Sequence, residues 1–356
     1  LSPMELGIAV ASGAEAHRVV KRAEDLGVGH AWFYDSQLLY GELFASMAAA
    51  AMRTERIRLG SGVLIPSNRI APIAANGFAT LARLAPGRID FGVGTGFTGR
   101  RSIGADAIPL AEMKEHIRVM RELWAGGTPE WDFEGTRRKI RFLNPETSRL
   151  HLADPIPLYV SAFGPKTRAY TAEVADGWMN FLFADEAAAQ DARDIRERCS
   201  AGDRDPDSLH SVAFTLGCVL DEGEPADSPR AVAQAGPLVA AMLHNWAEAE
   251  ERGSALQLPP EWREVIEAYA HHHKRFEPAD ARYLENHTGH LMFVREGDRP
   301  FITGEMIRAL TFTGTPDELR GRAKRLADAG YHQIAVQLVP DAEDAIDRWV
   351  ELFRGL

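Results

Sequence analysis

The sequence contains little cysteine. Only Cys199 and Cys218 occur among 356 residues, which excludes a disulfide framework and a cysteine-rich zinc site. Such usage is typical of a reducing compartment, and we expect a cytoplasmic protein. No uninterrupted apolar run reaches about 18 residues, and no basic stretch precedes a short apolar one near the start. Neither a membrane span nor a secretory signal is therefore predicted.

Positive charge is also scarce. The formal net charge is -11, and the basic residues are scattered among acidic ones. A nucleic-acid surface or a patch for anionic membranes is therefore not expected. With 45% hydrophobic and 26% charged residues, the chain can bury a large core. A small or neutral ligand fits this balance better than a polyanion.

Strand and helix patterns alternate along the chain. Short apolar runs rich in Val, Ile and Phe are each accompanied by a longer segment with helical spacing, which is typical of parallel βαβ units. Eight such runs favour one (β/α)8 TIM barrel domain over 4–356, because doubly wound sheets typically use five or six strands. The predicted strands are 6–10, 30–35, 56–64, 88–96, 157–163, 177–182, 211–220 and 334–339.

Two segments are too long for ordinary connections. One covers about 126–155, and the larger, about 221–312, follows the seventh predicted strand. Insertions that follow a barrel strand lie on the catalytic face, so the larger one is expected to cover or wall the site. Its aromatic residues suit an apolar lid, while a dimerisation arm is the alternative. The aromatic residues considered are Trp246, Trp262, Tyr269 and Tyr283.

The run "GVGTGFTG" at 92–99 matches the G-x-G-x-x-G pattern of dinucleotide-binding proteins. Its context argues against a Rossmann fold. The run follows the fourth strand, and about fifteen residues separate it from the next predicted helix at 111–124. Two interpretations remain open. The glycines let a crowded strand end turn, or they let the backbone approach a flat ring.

Four ordered stretches carry a family resemblance. They are "WFYDSQ" at 32–37 and the longer runs at 58–96, 157–179 and 312–336. Together they resemble the bacterial luciferase-like superfamily. The resemblance implies a (β/α)8 barrel that uses reduced FMN or the deazaflavin coenzyme F-420. It also implies a homodimer, because members of the family commonly dimerise.

The resemblance implies a cofactor site at three loops. It places a cis peptide at Gly62-Val63, behind the isoalloxazine ring, and sets Thr95 and Gly96 at the polar edge of that ring. The stretch "SAFGPKT" precedes a predicted helix, whose first N–H groups can hold a phosphate. The residues predicted to bind cofactor there are Ser161, Ala162, Phe163, Gly164, Lys166 and Thr167.

Catalytic groups are less defined by the pattern. Asp35 and Ser36 end the second strand, where many relatives have an acid followed by His, and Phe97 stands where some deazaflavin enzymes have Glu. Asp35 is expected either to act near the ring or to cap a turn. His290, in the larger insertion, is the predicted proton donor to substrate, with His287 three positions before it. No metal site is predicted.

The function expected first is a monooxygenase that uses reduced FMN and O2 on a small organic substrate, with a separate flavin reductase. The alternative is an F-420-dependent oxidoreductase that exchanges a hydride directly with its substrate. A second alternative is a flavin-binding relative without catalysis. Ser36 and Phe97 depart from the pattern of the best-known deazaflavin dehydrogenases. FMN is expected first because it is the commoner cofactor in the superfamily.

Overall fold

A closed parallel barrel forms the centre of the protein. The computed structural model describes residues 3–147, 149–253, 259–354 and 356. The barrel strands are β1 (Glu5–Val10), β2 (His30–Phe33), β3 (Arg58–Ser61), β4 (Ile89–Val93), β7 (Leu158–Ser161), β8 (Gly177–Phe181), β9 (His210–Thr215) and β10 (Gln333–Gln337). They are hydrogen-bonded in the cyclic order β1-β10-β9-β8-β7-β4-β3-β2. The predicted (β/α)8 barrel is therefore confirmed.

The strands are short and mostly buried. Every residue of β4 and β10 is buried, because parallel barrel strands pack against helices outside and side chains inside. The register closes the ring where β1 pairs with both neighbours, Ile8 lying opposite Ala31 and Val336. The third and seventh strands end earlier than predicted. Their last predicted residues instead form loops at the carboxyl end of the barrel.

Helices surround the barrel and extend its connections. They are α1 (Ala16–Asp25), α2 (Leu43–Ala51), α3 (Ala71–Leu84), α4 (Phe97–Arg101), α5 (Leu110–Trp124), α6 (Pro165–Val174), α7 (Asp185–Ala201), α8 (Pro229–Glu251), α9 (Arg263–His273), α10 (Tyr283–Asn286), α11 (Gly304–Leu310), α12 (Pro316–Ala329) and α13 (Ile346–Phe353). Local chemistry fixes their ends. In α12, for example, Thr315 and Glu318 form a capping box, and Gly330 stops the helix with φ 109°. No helix of the described chain is long and apolar enough to cross a membrane.

The two predicted insertions differ in structure. The first contains the exposed hairpin of β5 (Glu130–Phe133) and β6 (Thr136–Lys139). The 221–312 segment contains α8 to α11, and it follows β9 as predicted. It packs around its own apolar core, which includes Trp246, Trp262 and Tyr269. These aromatic side chains were expected in a lid over the site, and they instead stabilise the insertion itself.

The glycine run leads into a helix sooner than predicted. Helix α4 begins at Phe97, directly after Gly96, whose φ of 79° is left-handed. Sequence periodicity missed this helix because it has only five residues. Gly92 serves the barrel itself, since a Cβ there would lie 1.9 Å from the Ser61 carbonyl oxygen. Of these glycines, Gly96 therefore has the turning role, whereas Gly92 lets two strands approach closely.

Candidate active site

A cavity of about 550 Å³ opens at the carboxyl ends of the barrel strands. Its wall is formed by loops that follow β2, β3, β4, β7 and β8, together with one face of α8 and the turn around His290. This is the end of a (β/α)8 barrel where enzymes of this fold build their sites. All predicted site residues line the cavity except Ala162 and Lys166.

Three of the predicted cofactor loops meet at Gly94. A Cβ on Gly94 would lie 2.8 Å from Val63 Cγ2 and 3.3 Å from Ser161 Cβ. Backbone hydrogen bonds fix the contact, because Leu64 N donates to Gly92 O at 2.8 Å and Gly94 N donates to Leu64 O at 3.2 Å. The peptide bond between Gly62 and Val63 is cis, as the resemblance implies. The loops thus form one continuous backbone surface beside the cavity.

The loop before α6 has the features of a phosphate cradle. Gly164 is the N-cap of α6, no side chain caps this helix, and Pro165 follows. The first-turn N–H groups of Lys166 and Thr167 precede the first helical hydrogen bond, which Arg168 N donates to Gly164 O at 3.0 Å. A Cβ at Gly164 would meet nothing within 4 Å. Free N–H groups and open space beside a helix N-terminus suit an anion.

Two residues of this loop lie outside the cavity wall. Ala162 is fully buried, where its carbonyl accepts a hydrogen bond from Trp178 Nε1 at 3.0 Å. It therefore supports the loop from behind. Lys166 is exposed at the surface of the loop. Its flexible cationic side chain is not part of the cavity wall.

Asp35 is held in a buried ion pair. Its two carboxylate oxygens accept hydrogen bonds from Arg69 Nη1 at 2.9 and 2.8 Å, and one also accepts from Ile65 N at 3.1 Å. The side chains of Asp35 and Arg69 are 5% and 14% exposed. The carboxylate thus fixes the loop that follows β3, an ionic contact that differs from the turn cap considered from the sequence. A role of Asp35 near the ring stays a prediction.

Ser36, Tyr34 and Tyr40 line the cavity beside Asp35. The rings of Tyr34 and Tyr40 are 5.8 Å apart, and Tyr40 Oη donates to the His290 carbonyl oxygen at 2.8 Å. Burial raises the pKa of both phenols. They are therefore neutral groups that donate hydrogen bonds and accept protons poorly. Sequence reasoning missed both tyrosines, although Tyr34 lies inside the "WFYDSQ" motif.

His290 reaches the cavity from the 221–312 segment. Its ring has no hydrogen-bond partner among the described residues, and Nδ1 is enclosed. Burial, assisted by the charges of His287 and His244, lowers the pKa of His290 well below its usual value. The imidazole is thus neutral near pH 7 and available to exchange a proton with a ligand.

The rest of the cavity wall is largely apolar. One face of α8 contributes Leu238, Ala241, Met242 and Asn245, at the spacing of a single helical stripe. Three phenylalanines continue this wall from β8 and β9, namely Phe181, Phe183 and Phe214. Within the described chain, no Lys or Arg lines the cavity, and no group of three or more His, Cys, Asp or Glu side chains is arranged to hold a metal ion.

Together, these observations define a (β/α)8 barrel with a largely apolar cavity at the carboxyl ends of its strands. The family model described as luciferase-like monooxygenase matches residues 3–333. The chain therefore belongs to the luciferase-like monooxygenase family, as the sequence motifs predicted.

Several sequence relatives are F-420-dependent glucose-6-phosphate dehydrogenases. The chain is 34% identical over 199 residues to the F-420-dependent glucose-6-phosphate dehydrogenase of Intrasporangium calvum. The match covers 47% of this chain and 58% of that protein. It spans about half the length of the relatives of this kind that it matches.

Solved structures share the fold across 99% of this chain. The F-420-dependent tetrahydromethanopterin reductase of Methanopyrus kandleri is similar with a TM-score of 0.69 and 21% identity, over 97% of its own chain. The oxygenating constituent of 3,6-diketocamphane monooxygenase from Pseudomonas putida, in complex with FMN, is similar with a TM-score of 0.63 and 13% identity, over 96% of its chain.

Proposed function

We propose that this protein is an oxidoreductase that transfers a hydride between coenzyme F-420 and a small, neutral organic substrate. One observation carries the proposal. A single cavity joins a backbone surface for a flat ring and an uncapped helix N-terminus to an apolar wall without Lys or Arg. The first part suits a flavin-type cofactor, and the second part suits an uncharged substrate.

The relatives favour F-420 over FMN. The sequence relatives that match about half of this chain are named F-420-dependent dehydrogenases. Fold similarity alone supports both cofactors, since one of the reported structures is an F-420 enzyme and the other binds FMN. We therefore prefer the alternative over the monooxygenase that the sequence first suggested.

The chain offers specific groups to the cofactor. Val63 and Gly94 present the surface against which a ring can lie, and Thr95 and Gly96 line the cavity next to it. The N–H groups of Lys166 and Thr167 are available to a phosphate, with the Ser161 hydroxyl nearby. The exposed Lys166 ammonium suits the anionic tail of F-420 beyond its phosphate.

When bound, F-420 supplies a ring carbon that accepts or donates a hydride. The protein has to supply the proton chemistry and a dry environment. Oxidation of an alcohol also releases the hydroxyl proton, for which the neutral His290 imidazole is placed in the wall. Leu238, Met242 and Phe181 keep water away from the reacting carbon.

The wall disfavours a phosphorylated substrate. A phosphate ester brought into this cavity would lose its hydration without gaining a cation, because none lines the wall in the described chain. Asp35, the one acid there, is already paired with Arg69. We therefore propose a neutral alcohol or carbonyl compound as substrate, in contrast to the sugar phosphate named for the sequence relatives.

A monooxygenase using reduced FMN and O2 is the second candidate. The observation that favours it is the same apolar wall, contributed by α8 of the insertion, because oxygen chemistry on a flavin requires exclusion of water. Such a protein would depend on a separate flavin reductase.

Titration with both cofactors tests the proposal. Purified protein is titrated with oxidised F-420 and, separately, with FMN, and binding is followed by fluorescence. We expect F-420 to bind at least about tenfold more tightly, which corresponds to about 1.4 kcal/mol. F-420 is then mixed with secondary alcohols of increasing apolar size and with glucose 6-phosphate, and loss of the visible band of the oxidised coenzyme is recorded.

Reduction of F-420 by a neutral alcohol, with no reduction by the phosphate ester, would support the proposal. Tighter binding of FMN, together with oxygen uptake in the presence of reduced FMN, would transfer the assignment to the second candidate. Binding of either cofactor without any turnover would indicate a cofactor-binding relative without catalysis.

A further inference from the structure

His290 is the one ionisable side chain of the cavity wall that is free to accept a proton, among the described residues. The others are Asp35, Tyr34 and Tyr40. Asp35 is engaged by Arg69 and by the Ile65 N–H, and the buried phenols remain protonated. A proton leaving a substrate in this cavity therefore goes to His290.

A charge is poorly accommodated on His290 itself. The side chain is buried, and no carboxylate is paired with it. The ring that lies against it is that of His287, in edge-to-face contact with 5.7 Å between centroids. Nδ1 of His290 and both ring nitrogens of His287 are enclosed and form no hydrogen bond of regular geometry. A proton on His290 thus has the second imidazole as its immediate neighbour inside the protein.

A carboxylate lies on the far side of His287. Its Nε2 is 2.8 Å from Glu248 Oε1, and both side chains are about 5% exposed. Asn286 Nδ2 donates to the same oxygen at 2.8 Å, and an Arg101 guanidinium nitrogen lies 3.5 Å from Oε2. Burial opposes the charge on Glu248, but the contacts with His287, Asn286 and Arg101 together lower its pKa. Glu248 is therefore ionised inside the insertion.

We propose that His287 and Glu248 form a proton-holding pair behind His290. This inference rests on the proposed function. In alcohol oxidation, the C–H bond breaks and its hydride goes to F-420, while the O–H proton goes to His290. The Glu248 carboxylate, on the far side of the His287 ring, stabilises the positive charge that this proton brings to the two imidazoles. Reduction of a carbonyl runs the same path in reverse, so that substrate oxygen regains a proton as the hydride arrives.

The surroundings show which carboxylate stabilises the charge. Helix α8 presents His244 and Glu248 to this region, α4 presents Arg101, and the loop after β2 presents Tyr40. Farther along, Asp298 pairs with His244 and Arg295. Both carboxylates have a guanidinium nearby, but the Arg101 nitrogen is 3.5 Å from Glu248 Oε2, whereas Arg295 Nε is 2.8 Å from Asp298 Oδ2. Glu248 is therefore the less closely neutralised carboxylate, and it is the one beside His287.

The insertion contains a matched control. The His244 and Asp298 side chains are another buried imidazole and carboxylate, with Nε2 and Oδ2 3.1 Å apart, and neither residue lines the cavity. Glu248→Gln and Asp298→Asn each remove one buried negative charge from the same segment. Only the first acts on the pair behind His290.

The first measurement needs no cofactor. In protein labelled with 15N-histidine at pH 7, the ring resonances of His287 are expected to shift in Glu248→Gln and to stay near their wild-type positions in Asp298→Asn. Circular dichroism checks that each variant is folded. Unchanged His287 resonances in Glu248→Gln would overturn the pairing, whatever the cofactor is.

The second measurement is kinetic. In Glu248→Gln, kcat for F-420 reduction is expected to fall about tenfold or more, with KM and F-420 affinity within about twofold of wild type, because positioned proton transfer contributes about 100-fold or more. The pH profile of kcat is expected to change its shape, and Asp298→Asn is expected to retain the wild-type profile. His287→Gln, in which Arg101 still balances Glu248, should give the same loss if Glu248→Gln is unfolded.

Different results contradict the proposed function and the proton-holding pair. Wild-type protein that neither binds nor reduces F-420 would contradict the proposed function, while the 15N measurement still decides whether Glu248 governs His287. If the wild-type protein reduces F-420 and folded Glu248→Gln or His287→Gln has the same kcat, the proton-holding pair is overturned and the proposed function stands.

Discussion

Replacing Asp35 by Asn tests whether its carboxylate is a structural or a catalytic group. The substitution keeps the volume and removes the charge. In the folded protein Asp35 accepts two hydrogen bonds from Arg69 and one from Ile65 N. After the change, Arg69 keeps Glu42 as its partner, and the new amide oxygen can still accept from Ile65. The loop after β3 loses its main ionic contact.

The loss of unfolding free energy follows from the burial of the ion pair and from the partners that remain. Removing one member of a buried ion pair typically costs about 3–5 kcal/mol, because the other charge stays uncompensated. Asp35→Asn should lie near 3 kcal/mol, the lower end of that range, since Glu42 continues to neutralise Arg69. Arg69→Met should lie near 5 kcal/mol, the upper end, because it leaves the buried Asp35 without a cation. Urea unfolding measures both.

Cofactor affinity and kcat of the Asp35 variant distinguish a structural role of this carboxylate from a catalytic one. Because Asp35 fixes the 62–65 loop, Asp35→Asn should weaken F-420 binding by about tenfold, or about 1.4 kcal/mol, while kcat of the saturated enzyme stays near wild type. The double variant Asp35→Leu with Arg69→Met should cost less than the sum of the two single changes. Normal stability and normal F-420 affinity combined with a lost kcat would refute the structural role and make Asp35 a catalytic group.

Four further substitutions test other parts of the protein. Gly94→Ala places a methyl group within 2.8 Å of a neighbouring side chain and should lower the free energy of unfolding by about 1–3 kcal/mol. Gly164→Val meets open space, so it should keep the stability of the protein while weakening F-420 binding about tenfold through lost phosphate contacts. Equal losses of stability in the two variants would contradict the crowding at Gly94 and the open space at Gly164. Met242→Lys puts a charge into the apolar wall and should lower the affinity for neutral substrate at least about tenfold, with Met242→Leu as control; an unaffected KM would remove Met242 from the substrate wall. Burial lowers the pKa of His116 to about 4, so below about pH 6.5 the unfolded chain binds a proton at this residue that the folded protein does not bind. The free energy of unfolding should therefore fall by about 3 kcal/mol from pH 6.5 to 4. His116→Leu should make the stability less dependent on pH in this range, and an unchanged pH dependence would contradict the prediction.

The sequence predicted the barrel well because its signal is local. Each strand is a short apolar run next to a helical period, and the eight runs correspond to the eight barrel strands. Their ends were less accurate, because the loop residues that follow β3 and β9 are themselves apolar and extend the pattern. Helix α4 was missed, since five residues with one glycine and two arginines show no recognisable period.

The position of the cofactor loops came from the family resemblance, and the structure brings 62–63, 94–96 and 161–167 to one cavity. Side chains that meet only in three dimensions escaped prediction. The 221–312 segment was expected to present aromatic residues to the site, but α8 has two apolar faces. The stripe with Leu238 and Met242 faces the cavity, and Trp246 faces the core of the insertion.

Long sequence separation hid the ionic contacts. Glu248 and His287 are 39 positions apart, and Asp35 and Arg69 are 34 positions apart. No local period relates either pair, so their meeting depends on how the insertion and the strand ends are packed. The homodimer and the cytoplasmic location remain predictions, which sedimentation and cell fractionation would test.

Hydride transfer measured together with oxygen uptake tests the central claim most directly. The protein is mixed in air-saturated buffer with oxidised F-420 and an apolar secondary alcohol, while the visible band of the coenzyme and dissolved oxygen are recorded at the same time. We predict that the band disappears, that one carbonyl product forms per coenzyme reduced, and that oxygen stays constant. Product formation that requires reduced FMN and consumes one O2 per turnover, with F-420 unchanged, would contradict the account.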